Sequence, residues 1–496
     1  MEQVASAKQI KAYEKKLIEE TGIPSLLLME RAALHLYEQV CRMLESFPGK
    51  EKKRVLILCG SGNNGADGLT LARFLTERED AELTVCCTGN PEHATEEWKT
   101  QAGILSKLGT EIGSFPDPLP EFDIAVDAML GIGQNRPLDE RYQTLIEKLN
   151  KRREEKDCRI LSVDVPTGLD SDRGLPMPVA VKADETVTFS AVKRGLIVNE
   201  GRRFSGSVCC RPIGAAESPE EYLMRWVEMK NELPARDPLG HKGSFGKVLC
   251  ITGSADMPGA AILNAQAALK SGAGMVKIMT PEANRELLIK AVPEAMYVAA
   301  ECDDARLKKE LDWADVLVLG CGLGKDAAAV WLSKKEIRDW PRPIVIDADG
   351  LNALAEDKSF LTERAKTKAP TILTPHPGEF ARLFPDEKEK LQDADQLRSL
   401  AERYSCIITA KSATTMIADH KHVYYNVEGN DGMATAGSGD VLAGITGALL
   451  CVCDDAFKAA ALAVSLHAHC GDVAAARYGN AAVTASSLIE VLGTNA

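Results

Sequence analysis

RVLILCGSGNNGADG, residues 54–68, sets a six-residue, largely apolar run against a loop of glycine, asparagine and aspartate. A short continuous apolar run of this kind is the mark of a strand buried on both faces. The loop carries Gly60, Gly62 and Gly65 in GxGxxG spacing, and a helix is expected from Gly68. Glycines let a backbone approach a phosphate closely, and the unpaired N–H groups at a helix start bind it. A dinucleotide site of the usual kind also needs an acid at the end of the second strand to hold a ribose. Here the second strand, Glu82–Cys87, runs into Thr88 and Gly89 with no acid. Asn63, Asn64 and Asp67 add polar groups that a plain phosphate cradle does not require.

Outward from this unit the same rhythm continues. Two helices precede it, the first with Ser6 and Gln9 at capping-box spacing and the second running through Leu44 after Gly22-Ile23-Pro24. After it come a helix over His93–Leu108 and strands over Asp123–Asp127, Ile160–Asp164 and Ala183–Phe189. Strands alternating with helices imply a parallel sheet covered on both faces. Around Ile213–Gly240 the rhythm stops in a polar, proline-punctuated segment. A second series begins at Lys247–Thr252 and continues through Met275–Met279, Asp315–Leu319, Ile344–Asp347, Thr371–Thr374 and Ile407–Thr409. A hairpin around Met416–Val427 and a small-residue helical region from Gly439 to Ala476 close it. The reading is an N-terminal domain over 1–212, a linker over 213–236 and a C-terminal domain over 237–496.

Composition sets limits. A chain of 496 residues implies about two to four domains. With 45% apolar and 26% charged residues it is globular, and its net charge of -13 argues against duplex nucleic acid as the partner. The N-terminus, MEQVASAKQIKAYEKKLIEE, has no apolar signal core, and no run approaches a membrane span, so the expected location is the cytoplasm. The 14 cysteines include no CxxC pair and the eight histidines no HExxH spacing, which removes zinc-ribbon, thioredoxin and metallohydrolase readings. Small-molecule substrates are expected, with no nucleic acid or membrane partner, in a homo-oligomer.

Strand ends in an open parallel sheet converge on the ligand crevice. Asp127 closes DIAVD ahead of the loop Gly131–Pro137, and Asp164 closes ILSVD ahead of Pro166-Thr167-Gly168. Asn64, Asp127 and Thr167 form a set of hard oxygen donors suited to an alkali or hydrated cation. Asp164 and Asp67 can orient a ligand or exchange protons with it. An aspartate at a strand end can also simply cap a turn, but three loops carrying the pattern together favour a site.

GSGNNGADG, DAMLGIG and SVDVPTGLDSDRG together resemble the NAD(P)H-hydrate epimerase domain over about the first 210 residues. The resemblance implies a Rossmann-like three-layer αβα fold. It implies that Asn63, Asn64, Gly65, Ala66 and Asp67, then Gly131, Ile132, Gly133, Gln134, Asn135, Arg136 and Pro137, and Asp164, contact the hydrated cofactor. It makes Asp164 catalytic, and makes Asn64, Asp127 and Thr167 the ligands of a potassium ion. Ala66 stands where the family has its second glycine.

In the second half, Gly437-Ser438-Gly439-Asp440 opens a small-residue helix, with backbone N–H groups for an anion and Asp440 at its mouth as a base. No Walker A motif occurs. The GSGD element resembles the ribokinase-like α/β fold. MPGAA from Met257, SGAG from Ser271, GCGLG from Gly320, DADGLN from Asp347, TPHPGE from Thr374 and KSATT from Lys411 together resemble the ADP/ATP-dependent NAD(P)H-hydrate dehydratase. That resemblance gives Ala260, Gly322, His376 and Asp440 to the hydrated cofactor, with Asp440 catalytic. Lys411, Ser412, Ala413, Thr414 and Thr415, with Asn430, Gly437, Ser438 and Gly439, go to the nucleotide, ADP with magnesium. Ser412 replaces the family's glycine after the lysine. Two alternatives stand beside this reading: an NAD(P)-dependent oxidoreductase-like domain fused to a small-molecule kinase, and a dehydratase carrying a non-catalytic N-terminal module.

Overall fold

The computed structural model describes residues 1–47, 51–134, 136–214 and 220–493. Asn135 lies outside the described residues. Contacts divide the chain into Glu2–Pro219 and Glu220–Ala496, each with its own sheet.

The strands of the N-terminal unit are β1 (Glu2–Ala5), β2 (Lys53–Cys59), β3 (Ala81–Cys87), β4 (Ile112–Gly113), β5 (Ile124–Ala128), β6 (Arg159–Val163), β7 (Glu185–Phe189), β8 (Val192–Lys193) and β9 (Ser207–Arg211). Seven of them run in the order β4-β3-β2-β5-β6-β7-β9, all parallel. β1 and β8 form a short parallel pair, Val4 opposite Val192. Leu36, Val40, Met43 and Leu69 cover one face over Val55 and Ile57, while Leu145, Ile146 and Leu149 cover the other over Leu56 and Leu58. This is the three-layer αβα fold. Connections leave β2 toward β3 and return to β5 on its other side, so the loops after β2 and β5 diverge and open a crevice, the switch point of such sheets.

Local expectations and structure differ at two helix starts. The helix after β2 begins at Asn63, not Gly68, so the asparagines and Asp67 lie on its first turns. Gly65 permits this: a Cβ there would sit 1.9 Å from the carbonyl oxygen of Gly60. Ala66 is helical, fully buried and without the positive φ that would strain an alanine. The next helix begins at Glu96 instead of His93 because Thr95 caps it, its hydroxyl accepting from Trp98 N–H at 3.3 Å.

The C-terminal unit contains β10 (Glu221–Met224), β11 (Lys247–Ile251), β12 (Met275–Thr280), β13 (Met296–Ala299), β14 (Val316–Leu319), β15 (Ile344–Ile346), β16 (Thr371–Leu373), β17 (Ile407–Ala410), β18 (Thr415–Ala418) and β19 (Val423–Asn426). From β13 the order runs β12-β11-β14-β15-β16-β17, all parallel, then β18 antiparallel, β19 antiparallel to it, and β10 parallel to β19. The segment 213–236, read as a linker, therefore carries β10 and a short helix, Trp226–Met229. β10 pairs along its length with β19, and Tyr425 donates to the buried Glu221 at 2.6 Å. A four-residue strand flanked by charges carries too little periodicity to be read locally, and its partner lies some 200 residues away.

The small-residue region resolves into helices Ser438–Leu450 and Ala456–Tyr478. Its glycines allow close packing: a Cβ at Gly444 would lie 2.3 Å from the Asn264 carbonyl and one at Gly447 2.6 Å from Val318. Ala456–Tyr478 is long and apolar enough to cross a membrane, yet Ala459 to Val464 lie in the core of this unit.

Candidate active sites

In the N-terminal unit a cavity of about 870 Å³ opens above the ends of β2, β5 and β6. Asn63, Asn64, Asp67, Gly131, Ile132, Gly133, Gln134, Arg136, Pro137 and Asp164 all line it. Gly65 and Ala66 are buried behind this wall, in the helix that carries the asparagines. A Cβ on Gly131 would come within 3.2 Å of the Asn64 amide, so glycine lets the two loops close on each other.

Asp127 lies below the cavity, fully buried, and its carboxylate accepts from Thr167 Oγ1 at 2.6 Å, Thr167 N–H at 2.8 Å and Ser162 Oγ at 2.9 Å. Burial pushes its pKa upward and these hydrogen bonds pull against that. The Asn64 amide nitrogen is buried without a hydrogen-bond partner among the described residues.

Asp164 has a left-handed backbone, φ 64°, which swings its carboxylate into the cavity wall. Its Oδ1 accepts from Lys193 Nζ at 2.5 Å and Thr188 Oγ1 at 3.0 Å. Lys193 is almost completely buried and also donates to the Phe189 carbonyl at 2.7 Å. Asp67 shares the cavity with Asp164 and with Glu14, which reaches it from the first helix. Burial foremost, then the charges of Asp164 and Glu14, hold the Asp67 carboxyl well above the usual range. Glu14 is raised as well, by burial and then by Asp164. Glu14 and Lys193 were absent from the sequence-based set. The only local trace of Lys193 is a lysine inside the apolar run TFSAVKRGL.

In the C-terminal unit, Gly437 (φ 85°) caps the helix Ser438–Leu450 and brings Ser438, Gly439 and Asp440 to its first turn. Asp440, Asp347 and Cys321 present their ligating atoms within 4.8 Å of one another. Lys411 Nζ donates to Asp347 Oδ1 at 2.7 Å and lies 4.0 Å from Glu379. Burial, then the charge of Asp347, pushes Asp440 up to about 6, while the Cys321 thiol is raised far from thiolate formation. Ser438 Oγ meets the buried His467 Nε2 at 3.2 Å.

His376 caps the helix Pro377–Leu383, its Nδ1 accepting from Gly378 N–H at 3.0 Å and Glu379 N–H at 3.4 Å. Burial, with Lys411 and Arg382 nearby, lowers its pKa. The ring is therefore neutral near pH 7 with its proton on Nε2, which lies 3.4 Å from Glu379 Oε1. Ala260 and Gly322 adjoin: a Cβ on Gly322 (φ 63°) would fall 2.6 Å from that of Ala260.

Lys411 is thus tied to the carboxylates, apart from Ser412–Thr415, which fold into a turn with Ser412 Oγ donating to the Thr414 carbonyl at 2.6 Å. Ser412 has no positive φ, so serine fits where the family carries glycine. Asn430 sits on the opposite loop, its amide donating to Asp472 at 3.0 Å. Asp347 and Glu379 lie within DADGLN and TPHPGE, and nothing local in either motif distinguishes a carboxylate that will face Lys411.

Two α/β units, each with carboxylates gathered at strand ends around a glycine-bearing helix start, define a two-site enzyme for nucleotide-like ligands. The comparisons specify it. The NAD(P)H-hydrate dehydratase model matches residues 248–493, and the YjeF-related protein N-terminus model matches 25–195. The bifunctional NAD(P)H-hydrate repair enzyme Nnr of Moorella thermoacetica is 35% identical over 99% of this chain and 96% of its own. The enzyme of that name from Escherichia coli strain K12 is 32% identical over 98% and 92%. A solved ribokinase-like superfamily protein of Enterococcus faecalis is 26% identical at TM-score 0.50, covering 57% of this chain and 97% of its own. The chain belongs to the bifunctional NAD(P)H-hydrate repair enzymes, with an epimerase in its N-terminal part and an ADP-dependent dehydratase in its C-terminal part.

Proposed function

We propose that the N-terminal cavity interconverts the R and S forms of hydrated NADH and NADPH, and that the site around Asp440 dehydrates the S form using ADP, giving AMP and phosphate. The observation that carries the first half is a cavity of about 870 Å³, in the size range of small-molecule sites, lined by the carboxylic side chains of Glu14, Asp67, Asp139 and Asp164 and by the two loops that flank the switch point. The hydrated nicotinamide would contact Asn63–Asp67, the Gly131–Pro137 loop and Asp164.

Asn64, Asp127 and Thr167 would hold potassium: an unpartnered buried amide that can turn its oxygen inward, a buried carboxylate and a hydroxyl make a suitable hard-donor set. When bound, the ion supplies positive charge beneath a cavity rich in carboxylates.

In the dehydratase half, hydroxide is a poor leaving group, so the 6-hydroxyl is first phosphorylated. Asp440 takes the hydroxyl proton as oxygen attacks the terminal phosphorus of ADP, and the N–H groups of Gly437–Gly439 stabilise the migrating charge. A value of about 6 leaves Asp440 ionised at pH 7 yet basic enough to accept that proton. The ring nitrogen lone pair then expels phosphate, and loss of a C5 proton restores the double bond. His376 Nε2, Ala260 and Gly322 would position the hydrated ring. Lys411–Thr415 and Asn430 would hold the nucleotide, with Lys411 also offsetting Asp347. Magnesium would enter with ADP, and the donor set suits it: Asp347 supplies a carboxylate oxygen outside the Lys411 pair, and phosphates supply the rest.

The protein would act as a homo-oligomer in the cytoplasm, where cysteines dispersed through strands and helices stay reduced. The test incubates separated R and S hydrates with ADP or ATP and follows recovery of reduced-cofactor absorbance. Recovery from S needs nucleotide, and recovery from R needs both sites. Recovery from R at the full rate in an Asp164→Ala chain would overturn the N-terminal assignment.

A further inference from the structure

We propose that Lys193 is a positioning residue of the epimerase, pairing with Asp164 so that Asp67 is the acid that exchanges a proton with the 6-hydroxyl. The geometry separates the two aspartates. Asp164 Oδ1 receives a buried ammonium, the Thr188 hydroxyl at 3.0 Å and, more distantly, the Phe189 N–H at 3.4 Å. Asp67 lines the same cavity with neither an ion pair nor a side-chain hydrogen bond to any of the described residues, and it faces Asp164 and Glu14. A buried ammonium is costly unless paired, and one carboxylate already satisfies it. Carboxyl groups that share a cavity cannot all ionise freely, and the cation is held by Asp164, so Asp67 keeps its proton. The upward displacement of Asp67 agrees.

This division fits the chemistry of a carbon bearing both a hydroxyl and the ring nitrogen. The C6–O bond breaks, its electron pair stays on oxygen, and that oxygen takes the Asp67 proton and leaves as water. The nitrogen lone pair closes a C6=N1 bond, giving a planar cation that the Asp164 carboxylate stabilises. Water then forms a bond to the other face of C6, and its extra proton returns to Asp67. Nothing is oxidised or reduced, and no co-reactant is consumed. Without Lys193, Asp164 and Asp67 become a coupled pair competing for one proton. Lys11, Glu14, Arg136, Asp139 and Tyr142 also face the cavity and remain in place.

The test is the pH profile of epimerisation in full-length Lys193→Met and Lys193→Arg chains, with S-hydrate dehydration in the same preparations as a folding control. Lys193→Met is expected to lower kcat about 10²-fold or more with KM changed less than threefold, and to move the acid limb upward by at least about one pH unit. Lys193→Arg is expected to restore the limb and most of kcat. Asp67→Asn, which keeps the volume, is expected to abolish the alkaline limb with a loss of about 10²–10⁴-fold. The proposal is overturned by an unmoved acid limb in Lys193→Met, or by near-normal turnover of Asp67→Asn. If Lys193→Met fails to fold, the Asp67→Asn and Lys193→Arg profiles still decide.

Discussion

Replacing Asp440 by asparagine should make the protein more stable and its dehydratase nearly inactive, and both magnitudes follow from the surroundings of that carboxyl. Its pKa is raised from 3.8 to about 6, chiefly by burial and then by Asp347. The folded state thus binds the Asp440 proton more tightly than the unfolded chain does. Stability is lost as pH rises from about 4 to about 6, and the loss is constant above that. Two pH units correspond to at most ~3 kcal/mol. Partial exposure at the helix mouth and the favourable helix N-terminus reduce this to about 1–2 kcal/mol. Asparagine carries no charge to bury, so it removes the cost. At pH 7.5 the calorimetric transition of the C-terminal unit should rise by roughly 2–8 °C, and the gain should vanish near pH 4. Loss of the general base should lower turnover of the S hydrate by about 10²–10⁴-fold, with ADP affinity retained. The wild-type rate should fall on its acid side with a midpoint near 6. A carboxylate that merely capped its helix would give the opposite signs: a small destabilisation and near-normal turnover. Either result would refute the role given to Asp440.

Other substitutions probe the first half. Asp127→Ala leaves the Thr167 and Ser162 hydroxyls without their buried acceptor, so a loss of about 2–4 kcal/mol is expected. Potassium stimulation of epimerisation should disappear with most of the rate, while S-hydrate dehydration persists; replacing potassium by a large organic cation in the wild type is the companion measurement. Gly65→Ala would force a Cβ within 1.9 Å of the Gly60 carbonyl, so the helix start should shift and epimerisation be lost. Ala66→Gly should cost only about 1 kcal/mol, without raising epimerase activity, because that residue is ordinary buried helix; thermal melts and hydrate turnover compare the pair.

Alternation of apolar runs with amphipathic segments was enough to read two parallel α/β series from the sequence, and glycine spacing after Cys59 and before Asp440 marked where ligands approach. Those signals are local, written into residues a few positions apart, and they survive without knowledge of the fold. Motif resemblance added the chemistry. Other features arise only when distant strand ends meet. Lys193 finds Asp164 across 29 positions, Lys411 finds Asp347 across 64, and β10 finds β19 across some 200. The seating of the helix that starts at Asn63 also needed tertiary contact, since a Cβ on Gly68 would lie 2.6 Å from that of Ala128 on β5. Which aspartate stays charged and which keeps its proton depends on burial and on the nearest cation. Both are properties of the assembled crevice, where parallel strands deliver residues from separate loops to one point.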